Sequence, residues 1–197
     1  MRALVLTLVT LVAAPSSIFA QGKAPAEGIK VHGHWTIDVK NPDGTLVSHR
    51  EFDNALQTDG QTSLAKILTH GTNALGWVVM LADSSGNPVL ILAEPALTTQ
   101  NAFGQAIVQF PSNGVLNVTE ATTSGKDTAV LYGSFQSPTA ASIWQVQSWL
   151  FTQAPGQGAI GGGMFSQHPV SQPGTTNQPI VITANQLVQV SVVFSFS

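Results

Sequence analysis

Cysteine is absent from all 197 residues. The chain therefore has no disulfide, no thiolate nucleophile and no attachment point for a lipoprotein anchor. It must hold together by packing and backbone pairing. Charge is also scarce. Asp, Glu, Lys and Arg make up 9% of the residues, against about 25% in an average chain. The balance is acidic, with a formal net charge of −3. No basic cluster is available to neutralise phosphates, so nucleic-acid binding is not expected. The deficit is also uneven. Residues 128–197 contain no Asp, Glu, Lys or Arg, and His168 is the one side chain there that titrates near neutral pH. Ser, Thr, Gln, Asn and Gly must cover that surface. A neutral surface of this kind suits packing against copies of itself, and it equally suits a neutral exported β-protein.

Long apolar runs are missing as well. Arg2 precedes the uncharged run Ala3–Ala14, which Pro15, Ser16 and Ser17 break, and Ile18-Phe19-Ala20 offers a cleavage site before Gln21. About a dozen apolar residues cannot span ~30 Å of hydrocarbon as a helix. Residues 1–20 thus read as a secretory signal peptide, residues 21–28 as a polar leader, and 29–197 as one domain. The expected location is extracellular or at the cell surface, with the periplasm as the alternative, and with no membrane span after cleavage.

Catalytic patterns are lacking too. No Ser sits in a Gly-x-Ser-x-Gly elbow. Gly161-Gly162-Gly163 is not followed by the Lys of a phosphate loop. The ten acids are scattered, several of them in turns. The expectation is a non-enzyme without a cofactor.

What is present is β-pattern. Val31, Gly33, Trp35, Ile37 and Val39 alternate with His32, His34, Thr36, Asp38 and Lys40, the period of a half-buried strand. Asn41-Pro42-Asp43-Gly44 turns the chain into a second strand ending near Phe52. Thr58-Asp59-Gly60-Gln61 fits a capping box with Thr58 as N-cap. Leu64, Ile67 and Leu68 follow at helical spacing, with Gly71 placed to end the helix. Strands are then expected over Leu75–Ala82, Val89–Ala93, Ala106–Phe110, Val115–Ala121, Thr128–Phe135, Ile143–Thr152, Pro179–Thr183 and Leu187–Ser197. The Gly- and Gln-rich stretch Ala154–Pro179 reads as a long surface loop. The sum predicts an all-β fold, mainly an antiparallel β-sandwich, with one short α-helix after the first hairpin.

Three features invite functional readings. His32 and His34 point the same way from one strand, with Asp38 further along and His49 on the paired strand. These are metal-ligand candidates, since zinc takes at least three protein ligands. Two histidines on the solvent face of a strand also need no metal. Trp149 shares its face with Gln145 and Gln147, making it the candidate glycan contact, whereas Trp35, Trp77 and Trp144 fall on core faces. Finally, Val188, Val190, Val192, Phe194 and Phe196 line one face of an uncharged last strand. Such a strand is either central in its own sheet or available for assembly.

Three segments carry a resemblance. They are Val31–Thr45; Phe52-Asp53-Asn54-Ala55-Leu56 with Gly60, Leu64, Ile67-Leu68 and Gly76-Trp77; and Val181–Ser197. Together they resemble uncharacterised secreted β-rich proteins of environmental, acidobacteria-like bacteria. The middle segment is also similar to phage tail and tail-fibre proteins. The resemblance implies a β-rich exported fold and carries over no site residue. The expected function is a secreted structural protein, a self-assembling subunit of an extracellular filament or appendage whose partners are copies of itself. The alternative is a secreted glycan- or surface-binding β-sandwich module whose partner is an extracellular or cell-surface polysaccharide.

Overall fold

The computed structural model describes residues 29–97, 112–123, 125–156, 160–170 and 178–197. The signal peptide and leader expected over residues 1–28, and the strand expected at Ala106–Phe110, lie outside the described residues. The first alternating stretch forms β1 (Val31–Lys40), which turns at Gly44 (φ 87°) into β2 (Leu46–Ala55). The helix α1 (Thr58–Leu68) follows. A second hairpin, β3 (Asn73–Ala82) and β4 (Pro88–Ala93), turns at Gly86 (φ 84°), and a 3-10 turn at Pro95–Leu97 comes next. A third, β5 (Gly114–Thr123) and β6 (Lys126–Gln136), turns at Gly125 (φ 74°). The remaining strands are β7 (Ala141–Ile143), β8 (Gln145–Gln153), β9 (Ile160–Pro169), β10 (Ile180–Ile182) and β11 (Leu187–Phe196). At each of these three turns glycine takes a left-handed φ that other residues adopt only at a cost.

The class is all-β with one helix, as expected. The core is built on one large curled sheet and one small one. Nine strands run in the order β2-β1-β11-β6-β5-β4-β3-β8-β9, antiparallel throughout except for the short β4–β5 contact. The sheet curls into a half-barrel, far enough that its two edges touch. Leu56, just past β2, bridges Ser166 of β9. Gln57 N–H donates to Phe165 O at 2.9 Å, and the Phe52 and His168 rings stack at 4.6 Å. The interior is filled by side chains. Trp77 of β3, Phe165 of β9 and Phe194 of β11 meet there with centroids 4.7–5.5 Å apart. Ile143, Ile180 and Ile182 of the small β7–β10 sheet join the same core. A second cluster, including Val78, Met80, Ile91, Ala93 and Phe151, occupies the opposite face of β3, β4 and β8.

Three local expectations change. The helix begins at Thr58, and Gln57 is the N-cap without a side-chain cap bond. Its start is fixed instead by the Gln57 backbone bond to β9. At the other end the left-handed residue is His70 (φ 57°), and Gly71 N–H closes onto Lys66 O at 2.8 Å. That is a Schellman closure with His at the position glycine usually takes. Third, the stretch read as a loop contains β9. Its glycines carry no pattern to read, yet a Cβ on Gly162 would overlap the Phe151 ring.

β11 is central, paired along most of its length to β1 on one side and β6 on the other. Val188, Val190, Val192 and Phe194 are buried in the core, and Phe196 alone of the five is exposed. The assembly role expected of the first four is therefore corrected: their side chains and both edges of their strand are used within the chain. The strand ends pair too, with Lys30 and Ser197 exchanging backbone hydrogen bonds at 2.8 and 3.0 Å.

Candidate functional site

The alternation that buries Trp35, Ile37 and Val39 points His34, Thr36 and Asp38 outward. The register then sets outward side chains in rows across the strands. One row runs Glu51, Thr36, Ser191, Tyr132, Asn117 from β2 to β5. The next runs His49, Asp38, Gln189, Ser134. At about 4.8 Å per strand, the first row is roughly 19 Å long. Over β1, β11, β6 and β5 the rows line an open groove of about 630 Å³. Tyr132 stands in it with 45% of its surface exposed. Asn117 Nδ2 lies 3.5 Å from Tyr132 O. The groove thus presents phenol, hydroxyl, amide and one carboxylate, with no Lys or Arg among its lining residues. Lys40 lies beyond Asp38 on the same face of β1.

The β1–β2 end of both rows is charged. His34 Nδ1 lies 2.7 Å from Asp53 Oδ1, and its Nε2 lies 2.8 Å from Glu51 Oε1. His49 Nδ1 lies 2.6 Å from Asp38 Oδ1, and its Nε2 is 3.9 Å from Glu51 Oε2. The result is one chain, Asp53–His34–Glu51–His49–Asp38, in which acids and imidazoles alternate. The hydrogen bond to Asp53, opposed by partial burial and reinforced by Glu51, raises the His34 pKa above its ordinary 6.5.

This geometry corrects the metal reading of His32, His34 and His49. Both ring nitrogens of His34 are taken up by carboxylate oxygens. His49 spends Nδ1 on Asp38. Among the described residues no group of three or more His, Cys, Asp or Glu could hold a metal ion. Trp149 is not in the groove. It lies half-buried on β8, packs against the second apolar cluster, and donates Nε1–H to Gln147 Oε1 at 3.0 Å. The aromatic that sequence reasoning missed is Tyr132. Its signal was available, since Leu131 and Phe135 of β6 turn inward and leave Tyr132 on a polar face with Ser134.

An apolar patch lies elsewhere, where α1 meets the strand ends. Ile29, Leu56, Leu64, Ile67, Leu68 and Phe196 line a hollow of about 360 Å³. Ile29, Leu68 and Phe196 are 65%, 63% and 40% exposed. No family model, curated protein or solved structure matches the chain.

Proposed function

We propose that the protein is a secreted glycan-binding module that takes a polysaccharide segment along the groove over β1, β11, β6 and β5. The observation that carries this reading is the exposed Tyr132 set among hydroxyl and amide groups. An aromatic face covers the apolar C–H face of a sugar ring, and neighbouring polar groups satisfy its hydroxyls. The reading is of a binding protein, with no reaction assigned to it. Calorimetric titration against a panel of soluble polysaccharides tests it. Binding to at least one is expected, weakened about tenfold or more by Tyr132→Ala, which corresponds to about 1.4 kcal/mol. Trp149→Ala should leave the affinity unchanged. No binding across the panel, or an unchanged affinity in Tyr132→Ala, overturns the proposal.

A second reading is the self-assembling structural subunit, in line with the resemblance to secreted β-rich and tail proteins. The exposed apolar patch at Ile29, Leu68 and Phe196 favours it, since contiguous apolar surface marks contact sites. Assembly in this form joins whole folded subunits, with no strand exchanged.

A further inference from the structure

Neutral imidazole carries one N–H, and a carboxylate accepts hydrogen bonds without donating. His34 nevertheless has a carboxylate oxygen within hydrogen-bond distance of each ring nitrogen. Both contacts are hydrogen bonds only if both nitrogens carry protons. We propose that His34 is an acid-closed clasp: as imidazolium it fastens the edge strand β2 to β1 through Glu51 and Asp53, and on losing a proton it releases one of them. β2 is the strand on which such a clasp matters, because it pairs with β1 alone along its length and meets the opposite edge of the sheet only near its C-terminal end, at Phe52 on His168 and at the Leu56 bridge.

Glu51 and Asp53 face His34 from β2. His32 and Asp38 share its face of β1, and His49 reaches it only through Glu51. β11, flanking β1 on the other side, places Ser191, Val193 and Ser195 opposite this stretch and contributes no charge. Glu51 and Asp53 lie two residues apart on one face of β2, so loss of the intervening cation leaves like charges side by side. The sign follows from the raised pKa of His34. The clasp contributes fully below the unfolded-state value, and its contribution fades as pH rises through the higher folded-state value.

NMR of the histidine rings tests this directly. At about pH 6 both His34 nitrogens should be protonated, and the ring should titrate above the ordinary histidine value. Glu51→Gln with Asp53→Asn should bring that titration down. The melting temperature should fall between about pH 5.5 and about pH 8.5, a fall that shrinks in His34→Gln and persists in His32→Gln. A singly protonated His34 at about pH 6, or a titration that the Glu51/Asp53 variant leaves in place, overturns the clasp whether or not His34→Gln folds. So does an unchanged pH profile in a folded His34→Gln protein.

Discussion

Gly33 faces Asn54 across the β1–β2 pair, on the inner side of the sheet. A Cβ at Gly33 would overlap Asn54 Oδ1 and come within 3.0 Å of Phe194 Cε1. The position is thus glycine because of what lies over it, not because of its backbone angles. Among the described residues Asn54 has no hydrogen-bond partner for either side-chain polar atom, although the residue is only 7% exposed. Two effects therefore oppose each other at this contact. Gly33→Ala should cost about 1–3 kcal/mol by overpacking. Asn54→Ala removes a buried amide whose unmet hydrogen bonds cost about 1–3 kcal/mol, so it should be tolerated far better than burial alone suggests. In the double variant most of the Gly33→Ala loss should be recovered, and urea unfolding of the four proteins measures this coupling. Additive losses would show that the two side chains do not compete for one space. None of this was legible from sequence, because it depends on which residue of β2 stands opposite Gly33.

The single helix poses the same question at the scale of an element. Replacing a helix-interior glycine by alanine ordinarily gains about 1 kcal/mol of helix propensity. At Gly60 the added Cβ would sit 2.6 Å from Leu56 Cδ1 and 2.7 Å from Phe165 O. A backbone oxygen cannot turn aside as a side chain can. Gly60→Ala should therefore destabilise the protein by about 1–3 kcal/mol despite the better propensity, as thermal unfolding can check. A neutral or stabilised variant would mean that α1 is not pressed against β9. The helix itself was readable from the spacing of Leu64, Ile67 and Leu68. Its partner was not, because β9 opens on Ile160-Gly161-Gly162-Gly163, where three residues have no side chain to alternate. The hairpins around Gly44, Gly86 and Gly125 were readable for the opposite reason. Each is written in turn residues between apolar or alternating flanks that act within a few positions of one another.

For the whole molecule, sequence patterning established most of the strands, β7 and β9 excepted, but not their order, since the sheet places β11 between β1 and β6. Alternation says which face of the last strand is apolar and is silent on what flanks it. The candidate groove was hidden for the same reason: Tyr132 and Asn117 come from one hairpin, Thr36 and Asp38 from another, and Gln189 and Ser191 from β11. The exposed apolar patch belongs to this scale as well. If subunits associate through it, sedimentation velocity should show concentration-dependent association, and Leu68→Glu should shift the distribution to monomer. A protein that stays monomeric as concentration rises excludes that use of the patch. The β1–β11 pairing also bears on how the fold is reached. Contacts far apart in sequence must close large loops before they return any stability, which slows folding. Here β1 acquires its second neighbour only when β11 arrives, at the far end of the described chain. A nascent chain emerging residue by residue can form its hairpins early, but it leaves β1 open on one side until β11 has been made. Completion of the sheet therefore waits on the synthesis of β11, after every strand between it and β1 has been made.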